Sequence, residues 1–523
     1  MNTEPHRTFD NSSPTAWQRV FGFDSRSLAL YRIILGLMTF YDGLMRYLDI
    51  RPFYSDAGYF SRSLMETYYQ TYYELQVGTE VWSLHALSGE EGWQATLFGI
   101  QMAMGILISL GLFTRVANVV AWFLVASHQI RSPLVMTAGD FVLKLSLFWS
   151  IFMPLARHWA VERVIFNRWG WYQDLKLPHW ISSFGTAGFL LQFVVMYFCT
   201  GIAKCNDVWY SGEAMYFVLN LDIYARPFSK TILAMPALLK LITWSTLFFE
   251  LIGIWLLLIP YKNTLWRMIN FGAYWMFHLG IAATLNIGPF PFICLMIWLP
   301  LLPSGFWNSV TRRSEQIRIE HLTSAYHLVA RKITNVFCAI MIGVLVVWNA
   351  ANIEELNLRE RIPSPVTILA RMTSFEQHFQ MFGIPPKRNP WFVYEGKLAD
   401  GTKVDLFNTT GELFYSRPEN EMRTFPGHHW RKLHRNLMNP VAECLRSPLL
   451  EYAVQEWNLN HDDSKQVVSA RLICYSQALG YMTEDQHITS DIWGTYRNGA
   501  ESNGRLFDDL ENRLNSEDGF PFD

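Results

Sequence analysis

Ser183-Phe-Gly-Thr-Ala-Gly-Phe-Leu-Leu-Gln-Phe-Val-Val-Met-Tyr-Phe-Cys-Thr-Gly-Ile-Ala203 carries no charged side chain and is closed by Lys204. A helix needs about 20 largely apolar residues to cross roughly 30 Å of hydrocarbon, so this stretch predicts a membrane span. Similar runs recur on both sides of it, at 28–45, 93–112, 114–130, 138–155, 237–259, 266–285, 288–303 and 334–351. The expectation is a polytopic, mainly α bundle of about nine spans. Gly111, and Gly288 with Pro289, punctuate the pairs joined too tightly to be anything but hairpins.

The charge distribution divides the chain of 523 residues. Residues 351–523 hold 43 of the 88 Asp, Glu, Lys and Arg side chains, and the 350 residues before them hold 45. One soluble domain of even texture is excluded. The predicted organisation is a cytoplasmic N-terminal segment (1–26), a transmembrane domain (27–351), an extracytoplasmic α+β domain (352–500) and an acidic tail (501–523) that reads as disordered. With its net charge of −2 and no basic stripe, the chain gives no reason to expect a nucleic-acid partner. Six cysteines without a C-x-x-C or Cys/His cluster exclude a disulfide-dense scaffold and give no metal-ligand spacing.

Met1 to Arg26 is polar and has no apolar core leading to a cleavage site, so the first span is expected to direct insertion. With the N-terminus placed in the cytoplasm, about 15 Lys and Arg of the connecting segments fall inside and 7 outside. That bias follows the positive-inside rule. An odd number of spans then puts the last third outside, in the multi-pass setting of a cell's inner membrane. Within that third, Trp391 to Phe407 reads as a hairpin turning at Asp400-Gly401. A helical stretch over about 430–457, broken at Pro440, and a strand over 466–475 follow. Cys444 and Cys474 are either a disulfide or two separate buried thiols.

Charged groups at bilayer depth cost about 2.5–3.5 kcal/mol each on insertion scales, so they mark interiors or wet cavities. Here they are Arg32, Asp42, Asp140, Lys144 and Glu250, with Lys204 at a span's end and His278 within another. Each also has a structural explanation. Arg32 and Asp42 can pair with other spans, Lys144 lies one turn after Asp140 and can pair with it, and Glu250 and His278 can be hydrogen-bonding centres. Lys204 stands where the apolar helix gives way to Cys205-Asn-Asp-Val-Trp-Tyr-Ser-Gly212. A lysine amine withdrawn from water is disfavoured in its charged form and becomes a candidate base. Otherwise Lys204 is an interfacial lysine that pairs with Asp207.

Several segments resemble the HTTM membrane domain, which bacterial proteins share with the vitamin K-dependent gamma-glutamyl carboxylase. They are Ser27-Leu-Ala-Leu-Tyr-Arg-Ile-Ile-Leu-Gly-Leu37, Phe53-Tyr-Ser-Asp-Ala-Gly58, Trp82-Ser-Leu-His85, Arg131-Ser-Pro-Leu-Val135 with Gly139-Asp140, and His158-Trp-Ala-Val-Glu162. Gly201-Ile-Ala-Lys204 with Trp209-Tyr-Ser-Gly212 is similar to the family's lysine motif, and Phe277-His278 with Ile287-Gly-Pro-Phe290 to its histidine segment. The resemblance covers most of residues 20–310, in order, and Trp391-Phe-Val and Leu398-Ala-Asp-Gly401 are similar to the soluble domain of bacterial members.

The resemblance implies a carboxylase-like enzyme. Its lysine activates a reduced vitamin K-type naphthoquinone, oxygenation of the quinol by O₂ generates a strong base, and CO₂ is added to a glutamate side chain. By motif, Lys204 and His278 are the catalytic candidates; Arg32, Asp140, Lys144, Trp209 and Glu250 are candidates for the quinol pocket. The implied partners are the bilayer and a glutamate-containing protein or peptide. Gly139-Asp140 stands where the family enzyme has a histidine on its fourth membrane segment, and the soluble domain is shorter than that of the animal enzyme. The alternative is a non-catalytic scaffold, or a quinone- or lipid-binding protein, that presents its soluble domain to a partner.

Overall fold

The computed structural model describes residues 8–10, 14–169, 180–312, 319–321, 325–353, 356, 358–377, 379, 381–407, 412–418, 424–483 and 487–498. The acidic tail expected over 501–523 lies outside them. The helices that build the bundle are α1 (Ser25–Leu48), α2 (Glu91–Leu110), α3 (Thr114–Arg131), α4 (Ala138–Ser150), α5 (Phe184–Ile202), α6 (Pro236–Leu251), α7 (Asn263–Thr284), α8 (Phe290–Trp298) and α9 (Ala325–Ala351).

The helix ends follow from local chemistry. The Asp24 carboxylate accepts from the Arg26 N–H at the start of α1, and Ser183 and Thr186 form a reciprocal cap at the start of α5. Gly111 ends α2 at φ 67°, and Gly288 takes the same φ between α7 and α8. Glycine is the residue that holds this left-handed conformation without a Cβ penalty. Gly36 of α1 and Gly105 of α2 face each other: a Cβ on either would come within 2.4 or 2.7 Å of the other's carbonyl oxygen. Small residues at this crossing let the two backbones touch, as membrane helices commonly require.

Among the described residues, five helical segments are long and apolar enough to cross a membrane: Ser25–Leu48, Glu91–Leu110, Phe184–Ile202, Pro236–Leu258 and Arg331–Ala351. Phe290–Leu301 and Ser304–Thr311 qualify together but bend by 88° at their junction, which gives at most a sixth. The other three of the nine expected spans fall on α3, α4 and α7. Helix α4, with 13 residues, is about 20 Å long at 1.5 Å per residue. Helices α3 and α7 direct Asn118, His128, Gln129, Arg267 and Asn270 into the bundle interior, which is why their hydropathy is low.

Beyond the bundle, β1 (Arg388–Leu398), β2 (Lys403–Asp405), β3 (Val467–Ala478) and β4 (Ile488–Arg497) form an antiparallel sheet in the order β2-β1-β3-β4. The predicted hairpin is present: Gly401 has φ 88°, and the Thr402 N–H donates to Asp400 Oδ1 at 2.8 Å. Helices α10 (His428–Asn436) and α11 (Arg446–Leu459) straddle the break foreseen at Pro440. Cys444 and Cys474 are separate buried thiols, so the disulfide reading falls.

The sheet region and the bundle share one apolar core. Phe53, Tyr54, Phe98 and Leu134 join Trp430, Leu433, Leu449 and Leu472 in it. His429 Nδ1 donates to Asp49 Oδ2 at 2.7 Å, and Arg51 Nε donates to Glu456 Oε1 at 2.9 Å. Asp49 and Arg51 directly follow α1, so the sheet sits at the end of the bundle where α1 finishes. At the opposite end, Gly22–Asp24 pairs with Trp180–Ser182 just before α1 and α5 begin.

Candidate functional site

Helix α5 unwinds after Ile202, and the turn carries Lys204 inward. Its ammonium lies 2.7 Å from Glu250 Oε2 and donates to the Thr200 carbonyl at 3.2 Å; both residues are 3% exposed. Glu250 comes from the last turn of α6. The two helices meet this closely because of Gly201, whose Cβ would lie 3.0 Å from the Leu251 side chain and 3.1 Å from the backbone of Glu250. The sequence offered Asp207 as the partner of Lys204; Glu250, brought by another helix, takes that place.

The Trp209 ring covers the amine at 5.3 Å. Its indole N–H is held by the carbonyls of Phe382 (3.0 Å) and Gly383 (2.8 Å), so a segment just ahead of the sheet closes over the site.

Two turns before Lys204 on α5, the Tyr197 hydroxyl lies 2.7 Å from His278 Nε2 on α7. Trp298 Nε1 donates to the same hydroxyl oxygen at 3.3 Å. An indole nitrogen can only donate, and the hydroxyl oxygen it donates to can still either donate to or accept from His278 Nε2. The tautomer of His278 sets which of Nε2 and the Tyr197 hydroxyl donates; the ring's other nitrogen is Nδ1. That atom is buried and has no hydrogen-bond partner among the described residues. The lining is aromatic: Tyr274 stacks on Trp298 at 4.2 Å, and Phe290 meets the His278 ring edge-on at 5.7 Å. Glu250 lies close enough to act electrostatically on both Tyr197 and Tyr274. Phe290 and Phe382 also wall a neighbouring cavity of about 620 Å³ between the bundle and α10.

Asp140 belongs to a different network. Its Oδ1 takes the Arg46 guanidinium at 2.5 Å, and its Oδ2 accepts from the Thr137 hydroxyl at 2.9 Å. Arg46 also holds Asp42 at 2.9 Å and donates to the Tyr54 hydroxyl at 2.5 Å. His128 Nε2 and Gln101 Nε2 donate to Asp42 at 3.0 and 2.8 Å. The local pair expected between Asp140 and Lys144 does not form, because Arg46 from α1 occupies the carboxylate. Among the described residues Lys144 has no ion-pair partner; its amine lies 5.0 Å from the Phe141 ring.

Neither Arg46 nor His128 is among the candidates that the sequence singles out. The spacing of Asp42 and Arg46, one helical turn apart, was the available signal. Arg32 lies towards the other end of the bundle, seven residues into α1, and donates to the carbonyls of Trp159 (2.7 Å) and His158 (3.3 Å). The structure thus brings Lys204, Glu250 and Trp209 together with His278 close by, and gathers Asp140 with Asp42, Arg46 and His128. Among the described residues, no three His, Cys, Asp or Glu side chains are grouped to hold a metal ion.

The family model for the HTTM domain matches residues 22–307, which include every one of these residues except Phe382 and Gly383. No curated protein and no solved structure matches the chain. The chain belongs to the HTTM domain family.

Proposed function

We propose, from that membership and from the geometry around Lys204, that the protein is an integral membrane enzyme of the gamma-glutamyl carboxylase type. Its substrates would be a reduced vitamin K-type naphthoquinone, O₂, CO₂ and the glutamate side chains of a protein or peptide. HTTM domains occur in carboxylase-like membrane proteins, and the observation that carries the reading is the buried Lys204–Glu250 pair. Such a pair has no net charge whichever atom holds the proton, so the amine can be made free without placing a bare charge in a dry site. Lys204 is then the base, and Glu250 receives and returns its proton. The buried Nδ1 of His278, without a partner among the described residues, can hydrogen-bond a quinol or quinone oxygen.

The surroundings fit an aromatic, lipid-soluble ring. Phe290, Tyr274 and Trp298 are apolar walls, and Trp209 closes the side towards the sheet. When bound, a naphthoquinol oxidised by O₂ supplies the strong base that removal of a glutamate γ-proton demands. The residues around it exclude the water that would quench such a base. The accompanying topology is nine crossings of a cell's inner membrane, with the N-terminus inside and residues 352–500 outside. Positive charge in the connecting segments and the opposite placement of α1's start and the sheet support it.

The test is turnover in phosphatidylcholine nanodiscs. Purified protein is given a reduced naphthoquinone, O₂, labelled bicarbonate and a glutamate-rich peptide. Coupled quinol oxidation and label uptake are expected. Quinol oxidation at the protein-free rate would overturn the reading.

A further inference from the structure

The cavity between the bundle and α10 has an unusual charge distribution. Arg431, Lys432 and Arg435, all from α10, line it. None of these three makes an ion pair or donates a side-chain hydrogen bond to any described residue. Arg431 is 6% exposed, and its Nε has no hydrogen-bond partner among the described residues. The same residue, with His428, also lines an adjoining cavity of about 390 Å³ to which Arg226 contributes a fourth cation. Asp140, the carboxylate whose field reaches Lys432, is already committed to Arg46 and Thr137. A buried, unpaired guanidinium is costly unless something supplies the missing anion.

The opposite wall is apolar and comes from the bundle. Phe141 stands in the first turn of α4 and Phe290 at the start of α8, with Met136 and Ile287 beside them. Gly288 allows α10 to seat here, since a Cβ at that position would lie 2.9 Å from the His428 ring. The cavity thus has cations on the sheet side and apolar groups at the end of the spans, the depth at which phosphate headgroups meet hydrocarbon.

We propose that this cavity is a binding site for an anionic phospholipid. Its phosphate is held by Arg431, Lys432 and Arg435, and its acyl chains lie along Phe141 and Phe290. A free phosphate ion would satisfy the cations but leave the aromatic wall and most of the volume unfilled. The site is separate from the Lys204–Glu250 pair and does not rest on the catalytic reading, although the two share Phe290 and Phe382.

The experiment is native mass spectrometry of the full chain from zwitterionic detergent, titrated with dioleoyl phosphatidylglycerol or dioleoyl phosphatidylcholine. The wild type should retain one phosphatidylglycerol with at least about tenfold preference, and Arg431→Gln with Arg435→Gln should lower that preference by about tenfold or more. Lys432→Gln with Arg435→Gln spares the buried Arg431, keeps the test open if the first pair fails to fold, and should act in the same direction. Equal retention of the two lipids, or an unchanged preference in folded variants, would overturn the proposal. Displacement of phosphatidylglycerol by equimolar inorganic phosphate would overturn it in favour of a free-anion site. Displacement by an equimolar oligoglutamate peptide would overturn it in favour of an acidic peptide.

Discussion

Glu250 reaches Lys204 at 2.7 Å from a different helix, and the two together form the charged centre of an otherwise aromatic pocket. Removing either partner leaves the other buried and uncompensated, which costs about 3–5 kcal/mol, whereas replacing both by apolar groups costs far less. Glu250→Leu alone should therefore lower the melting temperature in detergent more than Lys204→Met with Glu250→Leu. Additive losses in the double variant would show that the pair is not energetically coupled.

The catalytic reading predicts a different result for Lys204→Arg. Guanidinium keeps the positive charge for Glu250 but cannot deliver a free base, since it stays protonated throughout the physiological pH range. Quinol oxidation by Lys204→Arg and Lys204→Ala should fall by about 10²–10⁴-fold in protein that still folds, and a small exogenous amine should partly restore the alanine variant. Wild-type turnover in the arginine variant would reduce Lys204 to a structural cation.

Asp140→Asn should behave oppositely, because Asp140 anchors Arg46 and caps α4 rather than facing Lys204. The expected effect is a loss of about 3 kcal/mol in stability, with turnover per folded molecule changed by less than about tenfold. A stable variant with abolished turnover would return Asp140 to the reaction.

The sheet region should be acid-sensitive. His434 is fully buried, its Nδ1 donating to the Trp430 carbonyl at 2.7 Å and its Nε2 accepting from the Tyr394 hydroxyl at 2.6 Å. Burial pushes its pKa down to about 4, against about 6.5 when unfolded. Protons therefore bind the unfolded chain more tightly. Stability is full at neutral pH and falls as pH drops from 6.5 towards 4, by on the order of 3 kcal/mol. His434→Gln should be less stable at pH 7 yet show a flatter pH dependence of unfolding, followed by tryptophan fluorescence; an unchanged slope would contradict this assignment.

Topology is checked by a reporter fused after Asp523, which should be active only outside the cytoplasm. Activity inside would remove the odd number of crossings.

The runs of apolar residues, the polar breaks between them and the rise in charge after residue 350 were enough to read a mainly helical chain with membrane spans, followed by a region that holds a small sheet. The turn at Asp400-Gly401 and the helix break at Pro440 were equally plain. These are local properties: helix length, glycine's freedom at positive φ and the cost of exposing polar groups to hydrocarbon depend on neighbours in the chain. Which charges meet is not local. From spacing, Lys204 had Asp207 close by and Lys144 had Asp140 one turn away. Packing gave Lys204 to Glu250 and Asp140 to Arg46, because Gly201 lets α6 approach α5 and the crossing of α1 with α4 delivers a guanidinium that outcompetes an amine. The unpartnered cations of α10 were invisible for the same reason. In sequence they are an ordinary solvated face, and only the docking of α10 against the end of the bundle turns them inward.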